Sequence, residues 1–254
     1  MMHQDLKMPE REPANSWSMP WDAPLVPEFP FMFRNVEVMT LVYRTRIDAV
    51  QALLPPPLTA TSDWVLIHVY NMNDVEWLGS YGECNVMVGA RLNDAHQGGY
   101  SPYLFLNSDV GLAHGREVHG QPKKFADAHI ETRKDLLVCT VTRNGIDIVT
   151  GTIGYKQSRG TLDDLKQRTF DFATNINYKV IPGIDGSTAV RQLTSRKLAD
   201  VQVHECWTGP CTVELRPNAQ APVYKLPVVE MSQGYYWRAD FTLVRGEVIH
   251  DYLA

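Results

Sequence analysis

The chain of 254 residues has a formal net charge of −5, and 44% of its residues are hydrophobic. This length is enough for one large domain or two small ones, while the acidic balance disfavours nucleic acid as a partner. No apolar run approaches the roughly 18 residues of a membrane-spanning helix, and the four cysteines show neither a C-x-x-C spacing nor a zinc pattern, so we expect a soluble, cytoplasmic protein with reduced thiols, no bound metal and no membrane partner.

Residues 1–30 are predicted to form an irregular arm. This stretch is rich in proline and methionine and shows neither helical nor strand periodicity. It also contains Trp17 and Trp21, and large aromatic side chains favour docking over disorder. We therefore expect the arm to lie on the body of the protein or on a neighbouring subunit.

Strand patterns dominate the rest of the chain, which is predicted to contain at least nine strands and two or three short helices. The predicted strands cover residues 36–43, 64–70, 83–92, 103–107, 136–143, 146–156, 175–181, 189–197, 201–207, 211–215, 235–243 and 248–253. The predicted helices cover residues 47–54 and 109–117, and residues 161–171 form a loop or a further short helix. Asn144-Gly145 lies between two of the strands and is the strongest hairpin signal in the sequence.

So many strands favour either a barrel or two packed sheets. The periodicity alone does not distinguish between these two architectures. No repeat, low-complexity tract or linker divides residues 31–254, which are predicted to form a single domain.

Lys123 and Lys124 are the candidate centre of the chemistry. A lysine is a nucleophile only after it loses its proton, and with a usual pKa of about 10.4 an exposed lysine is almost wholly charged at neutral pH. Burial and a second nearby cation both favour the neutral amine. Taken alone, however, two adjacent lysines are more often a solvated surface pair.

The stretch from Gly115 to Lys124 reads Gly-Arg-Glu-x-x-x-x-Pro-Lys-Lys and resembles the signature of the acetoacetate decarboxylase superfamily. Residues 35–45, 151–156, 203–210 and 246–253 also resemble their family counterparts, in the same order. The resemblance implies an α+β fold, predominantly antiparallel β, in which a cone-like β-barrel assembly with a few short helices holds the active site. It also implies that the first lysine of the pair forms a covalent imine with an oxo acid, with no other cofactor.

The resemblance assigns roles to four catalytic candidates. Lys123 would form the Schiff base, and Lys124 would either help it to lose its proton or anchor the turn by pairing with an acid. Glu83 matches a glutamate that points into the cavity and can move protons. Tyr252 matches a tyrosine near the cavity that can hydrogen-bond an intermediate or relay a proton.

Two positions depart from the family pattern. Val36 stands where the decarboxylase has an arginine, so the cavity would lose a natural partner for Glu83 and gain apolar surface. His68 stands where the family has a second glutamate, and it would bring a group that titrates near neutral pH.

Three more residues near the lysine pair are candidates for substrate binding or for shaping the loop. His119 could contact a substrate carboxylate, move a proton or simply face the end of a helix. Gln121 lies directly upstream of the pair. Arg116 is expected to hold the loop through an ion pair with Glu117.

Because of the two departures, the first function that we expect is aldol condensation of pyruvate with an aldehyde, followed by dehydration, or the reverse hydratase–aldolase reaction. The alternative is decarboxylation of acetoacetate or another 3-oxo acid. A second alternative is a non-catalytic protein that binds a keto acid or an apolar ligand. The expected partners are a small oxo acid, an aldehyde in the aldolase case, and further copies of the same chain in a homo-oligomer.

Overall fold

The computed structural model describes residues 17–254, of which most belong to strands. Its strands are β1 (Phe31–Arg44), β2 (Thr59–Val75), β3 (Gly79–Arg91), β4 (Gln97–Leu106), β5 (Lys123–Phe125), β6 (Asp127–Arg133), β7 (Leu136–Arg143), β8 (Ile146–Gly154), β9 (Ser158–Arg159), β10 (Thr174–Pro182), β11 (Thr188–Leu215), β12 (Glu230–Met231), β13 (Gln233–Leu243) and β14 (Glu247–Asp251). Its helices are α1 (Ile47–Gln51), α2 (Asp109–His114) and α3 (Leu162–Arg168), with a π-helical turn at Gly115–His119 and a 3₁₀ turn at Val223–Lys225.

Seven strands close into a ring in the order β1-β2-β3-β4-β10-β11-β13. The ring closes because β10 pairs with β4 on one side and with β11 on the other. Most of the pairings are antiparallel, but β4 pairs in parallel with both β5 and β10. The predicted closed, mainly antiparallel sheet with few helices is therefore confirmed, although the ring is uneven.

Side chains alternate between the two faces of the ring, as the period of a β-strand requires. On β3, Cys84, Val86 and Val88 face outward, whereas Glu83 and Asn85 face inward. We call the cluster outside the ring the outer core and the cluster inside it the inner core. The inner core surrounds the cavity described below.

The sheet β6-β7-β8 covers the outer core. It joins the ring through the last residues of β11, where Cys211–Leu215 pairs with β8. Leu137, Cys139 and Val141 of β7 pack in the outer core. The predicted hairpin at Asn144-Gly145 is confirmed, since Arg143 pairs with Ile146 across it and both turn residues have positive φ.

One observed strand replaces three predicted ones. The predicted strands at 189–197, 201–207 and 211–215 are parts of the 28-residue strand β11. Its pairing with β13 shifts register between Ala199 and Gln202 and again between Val203 and Glu205. Such irregularities bend a strand without ending it, so β11 runs from the ring into the second sheet.

The predicted arm is described only from Trp17 onward, and residues 1–16 lie outside the described part. Residues 17–30 contain no helix or strand. Trp17 donates a hydrogen bond to the carbonyl of Pro27 and packs edge-on against Phe29.

All four cysteines are buried and free of disulfides. Within residues 17–254, no helix has both the length and the apolar character needed to cross a membrane.

Candidate active site

A tight reversal of the chain places Lys123. Helix α2 begins after Ser108, whose hydroxyl accepts a hydrogen bond from the N–H of Gly111, and it continues into the π-helical turn Gly115–His119. Gly120 ends this turn with a φ of +75°, a left-handed conformation that favours glycine. The chain then enters β5, and the side chain of Lys123 points into the ring.

Gly115 makes room for the aliphatic stem of Lys123. A Cβ at Gly115 would lie 2.3 Å from Lys123 Cδ and 2.6 Å from Lys123 Cε, and it would also lie 2.9 Å from Oε1 of Gln121. These distances are far inside van der Waals contact. The glycine that opens the sequence motif is therefore the surface on which the lysine stem packs.

Lys123 and Glu83 form a buried pair. Nζ of Lys123 lies 3.0 Å from Oε2 of Glu83, and the two residues are only 6% and 7% exposed. A buried charge needs such a partner, because an isolated one is very costly. The same carboxylate can take the proton that a lysine must lose before it attacks a carbonyl carbon.

A cavity inside the ring contains this pair. Part of the wall is apolar and is formed by Phe31, Phe33, Phe172, Trp237, Phe241 and Leu243. The polar groups of the same lining belong to Tyr70, Tyr81, Glu83, Asn85, His114, Gln121, Lys123, Lys166 and Arg196. The cavity can thus offer both apolar and polar contacts to a ligand.

Tyr70 and Tyr81 supply two phenols to the cavity. Burial raises the pKa of each phenol, and the nearby charge of Glu83 raises it further. Both hydroxyls therefore stay protonated at neutral pH and are available as hydrogen-bond donors.

Arg196 brings a guanidinium into the same cavity from β11. Burial lowers its pKa, while the negative charge of Glu83 opposes that effect. Its Nε is buried and makes no hydrogen bond with residues 17–254. Val36, where the family resemblance led us to look for an arginine, is fully buried in the inner core and carries no charge.

Gln121 lines the cavity as part of a buried amide network. Its Nε2 donates to Oδ1 of Asn175 at 3.3 Å, and Asn177 donates to the same oxygen at 3.1 Å. Asn175 in turn donates to Oγ of Ser101 at 2.9 Å. This network fixes the amide of Gln121 next to Lys123.

Lys124 and Arg116 hold the loop from outside the cavity. Nζ of Lys124 donates to the carbonyl of Gln220 at 2.7 Å, so Lys124 anchors the turn through a carbonyl and not through the expected acid. Arg116 donates to the carbonyl of Lys123 at 3.2 Å. No ion pair between Arg116 and Glu117 occurs within residues 17–254, which corrects the expected pairing.

His68 does not titrate near neutral pH, contrary to the expectation from sequence. It is fully buried, and burial lowers its pKa to about 3. Its Nδ1 lies 2.9 Å from the hydroxyl of Thr40, which also accepts a hydrogen bond from Nε1 of Trp237. His68 thus belongs to the polar support behind the cavity wall, where it packs near Phe172.

His119 and Tyr252 lie outside the lining of this cavity. His119 packs against Phe29 and His114 and borders a separate pocket. The hydroxyl of Tyr252 donates to the carbonyl of Pro56, and its ring packs edge-on against Tyr178. The structure therefore does not bring the expected Tyr252 phenol to Lys123.

Sequence reasoning missed Tyr70, Tyr81, His114 and Arg196. The period of two along β2 and β3 would have found the tyrosines, because Tyr70 shares a face with His68 and Tyr81 shares a face with Glu83. Arg196 had no local signal, since its place depends on the pairing of β10 with β11. His114 needed the exact register of α2.

A buried lysine beside a carboxylate, inside a closed ring of strands, is the arrangement expected of a lyase that works through a lysine Schiff base. Comparisons with known proteins agree. A sequence model of the acetoacetate decarboxylase family, described as "Acetoacetate decarboxylase (ADC)", matches residues 17–253. The chain belongs to this family.

Individual relatives extend over nearly the whole chain. Acetoacetate decarboxylase of Burkholderia mallei (strain NCTC 10229) is 34% identical over 246 residues, which cover 97% of this chain and 99% of the relative. A solved acetoacetate decarboxylase superposes with a TM-score of 0.88 at 34% identity, over 95% of this chain and 98% of that chain. The chain is therefore an enzyme of the lysine Schiff-base lyase class and not a non-catalytic binding protein.

A more distant structure shares only the fold. The enduracididine biosynthesis enzyme MppR, solved with the condensation product of pyruvate and imidazole 4-carboxaldehyde, superposes with a TM-score of 0.77 at 17% identity. The match covers 93% of this chain and 97% of MppR.

Proposed function

We propose that this enzyme decarboxylates a small 3-oxo acid, with acetoacetate as the simplest candidate, through an imine on Lys123. The observation that carries the proposal is the buried pair of Lys123 Nζ and Glu83 Oε2, 3.0 Å apart. The relatives that are about one-third identical over nearly the whole chain are named acetoacetate decarboxylase, which supports this reaction over the condensation expected from sequence.

In the first step, the amine of Lys123 attacks the ketone carbon of the substrate. Transfer of a proton from Nζ to Glu83 frees the lone pair for the attack. The resulting carbinolamine then takes a proton on its hydroxyl group and loses water. The product is an iminium ion that joins Nζ to the former ketone carbon.

In the second step, the bond between the carboxylate and its neighbouring carbon breaks. Its electron pair moves into the iminium, so that carbon dioxide leaves and an enamine forms. An acid in the cavity then protonates the enamine carbon, and Glu83 and the phenols of Tyr70 and Tyr81 are available for this transfer. Addition of water to the new iminium releases the ketone and restores the lysine.

The apolar wall favours the bond-breaking step. A carboxylate carries a full charge in the substrate and becomes neutral carbon dioxide as it leaves. Surroundings such as Phe31, Phe241 and Trp237 solvate the starting charge poorly and the neutral product well, so they lower the barrier between the two.

Condensation of pyruvate with an aldehyde is the second candidate, because it would use the same imine and the same phenols. The iminium of pyruvate would lose a methyl proton to give an enamine, and the enamine carbon would attack the aldehyde. Loss of water and hydrolysis of the imine would then release the product and restore the lysine. The position of Tyr252, bonded to Pro56 outside the cavity, removes one of the two residues expected to handle these protons.

The proposal also includes no cofactor other than the covalent imine, a cytoplasmic location and a homo-oligomer. The arm supports the oligomer, since Met19 is 77% exposed and Trp21 is 48% exposed on one chain. Light scattering of the purified protein would measure its mass, and a monomer would contradict this part of the proposal.

The test is release of carbon dioxide from acetoacetate at neutral pH. We expect turnover by the wild type and a loss of at least about 10⁴-fold in Lys123→Ala, because the nucleophile is gone. Lys124→Ala is the matched control and should keep turnover within about tenfold, since its amine lies on the other side of the turn.

A parallel sample would contain pyruvate and a simple aldehyde, with formation of a conjugated 2-oxo acid followed by absorbance. Product from this sample, without carbon dioxide from acetoacetate, would replace the proposed reaction with the condensation. Equal turnover in Lys123→Ala and wild type would contradict the imine mechanism as a whole.

A further inference from the structure

Arg196 is a cavity cation that the proposed reaction does not yet use. Its guanidinium makes no hydrogen bond and no ion pair with residues 17–254, and its Nε is buried. A buried guanidinium nitrogen without an acceptor is costly, because it has lost its water without gaining a hydrogen bond, and Arg196 as a whole is only partly exposed. Such a group is poised to receive an anion from outside the chain.

The balance of charge in the cavity lining favours the binding of one more anion. Glu83 is the acidic residue in the lining, and its Oε2 is already paired with Lys123. Arg196 and Lys166 then remain as cations in the lining. His114 adds no charge near neutral pH, because burial, followed by the positive charges of Lys123 and Arg196, lowers its pKa to about 3.

Arg196 and Lys123 lie on different strands of the same cavity. Arg196 lies on β11, opposite Asn175 in the ladder, whereas Lys123 lies on β5 and pairs with Leu104 of β4. Both side chains reach the same cavity. A substrate in this cavity therefore faces both the lysine amine and the guanidinium.

We propose that Arg196 binds the carboxylate of the substrate and thereby makes the enzyme selective for oxo acids over neutral ketones. This inference rests on the proposed function. The planar guanidinium can donate two parallel hydrogen bonds to a carboxylate, a geometry that a lysine ammonium does not reproduce. Held in this way, the carboxylate is fixed relative to the plane of the iminium.

The proposal predicts how the kinetic constants change. Arg196 interacts with the charged carboxylate of the substrate, and this interaction weakens as neutral carbon dioxide forms. Its loss should therefore raise KM and leave kcat unchanged or slightly higher. For Arg196→Met we expect KM for acetoacetate to rise by about 10–100-fold, the range for a lost charge-assisted hydrogen bond, with kcat changed by less than about fivefold.

A neutral ligand separates binding of the carboxylate from a structural role. Pentane-2,4-dione has the ketone arrangement of acetoacetate with a methyl ketone in place of the carboxylate, and it forms an absorbing enaminone with a reactive lysine. We expect Arg196→Met to form this adduct at the wild-type rate, within about twofold. Arg196→Lys should lie between wild type and Arg196→Met for acetoacetate.

Arg191→Met is the matched control. Arg191 lies on the same strand, but it is exposed and packs over Tyr178 and Tyr252, away from the cavity. It should behave as wild type with both ligands.

Three results would overturn the proposal. An equal loss of acetoacetate turnover and dione adduct in Arg196→Met would show that Arg196 only supports the fold of the site. An unchanged KM for acetoacetate would show that the carboxylate is bound elsewhere. Failure of the wild type to react with either ligand would overturn the proposed function itself, and the carboxylate site with it.

Discussion

The two cores of this protein are built from opposite faces of the same strands, yet they differ in kind. The outer core is almost wholly apolar, and Tyr43 within it donates its hydroxyl to the carbonyl of Leu226 at 2.9 Å. The inner core mixes aromatic rings with Glu83 and Lys123, together with buried polar atoms that lack hydrogen-bond partners among residues 17–254.

This contrast shows how one sheet can serve both stability and chemistry. The outer core follows the usual rule that buried groups are apolar or fully paired. The inner core breaks the rule at the cavity, and such local violations are expected where a protein has a functional site. Six of the seven ring strands, all except β10, contribute to both regions, because their residues alternate between the two faces.

The buried charge pair provides the largest expected effect on stability. Lys123→Met should lower the free energy of unfolding by about 3–5 kcal/mol, because it leaves the carboxylate of Glu83 buried without its cation. The double variant Lys123→Met, Glu83→Leu should recover most of this loss, since it turns this part of the inner core into an apolar core like the outer one.

Urea unfolding measures both variants. Lys124→Met is the control for the loss of a lysine charge outside the cavity, and it should lower the free energy by only about 1 kcal/mol, the contribution of its hydrogen bond to Gln220. A double variant no more stable than Lys123→Met would contradict the view that each charge of the pair offsets the cost of burying the other.

Two glycines test whether the two cores have separate functions. A Cβ on Gly115 would meet Lys123 Cδ at 2.3 Å, and a Cβ on Gly151 would meet Leu41 Cδ1 of the outer core at the same distance. Gly115→Ala should slow imine formation by about 10²-fold, because it displaces the lysine. Gly151→Ala should instead cost about 1–3 kcal/mol of stability through overpacking, with imine formation unchanged in the folded protein.

Gly160→Ala is the benign control for both glycine variants, since the nearest atoms to its Cβ would lie at an ordinary 3.4 Å. Rates of enaminone formation and urea midpoints should be measured on all three proteins. A loss of imine formation in Gly151→Ala as large as that in Gly115→Ala would contradict the proposal that the two cores have separate functions.

Buried histidines should make the fold sensitive to acid. The pKa is lowered to about 3 for His68 and His114 and to about 2 for His119, with burial as the main cause in each. These histidines therefore bind protons near pH 6.5 in the unfolded chain but stay neutral at that pH in the folded chain. Stability should be complete above about pH 6.5 and fall as the pH is lowered from there towards 3, by up to about 1.4 kcal/mol per pH unit for each histidine.

Urea midpoints between pH 7.5 and pH 5 would measure this loss. His114→Phe keeps an aromatic ring between Phe29 and Phe31 and should show a shallower decline than wild type. The same slope in both proteins would exclude His114 as a source of the acid sensitivity.

The sequence was sufficient to locate the buried pair of Lys123 and Glu83 and to predict the broad fold. The motif located Lys123, and the resemblance located Glu83, while strand periodicity predicted most of the ring. Local sequence patterns do not reveal long-range strand pairing. For this reason three predicted strands proved to be the single strand β11, and Arg196 was missed.

Burial and direction were the main errors at the site. Nothing local in the sequence shows that His68 is fully buried, so its titration near neutral pH was wrongly expected. Tyr252 lies in a matching motif, but its hydroxyl bonds to Pro56 outside the cavity. The sequence favoured the condensation reaction because Val36 replaces an arginine of the family. That argument did not take account of Arg196, whose guanidinium reaches the cavity from β11.

Borohydride trapping tests the central claim most directly. Acetoacetate would be added at neutral pH, the imine or its product reduced with borohydride, and the labelled residue found by peptide mass spectrometry. The account predicts one stable adduct per chain, on Lys123, that is absent from Lys123→Ala and present in Lys124→Ala. An adduct on Lys124 or on a surface lysine, or none at all, would contradict the assignment of Lys123 as the imine-forming residue of the inner core.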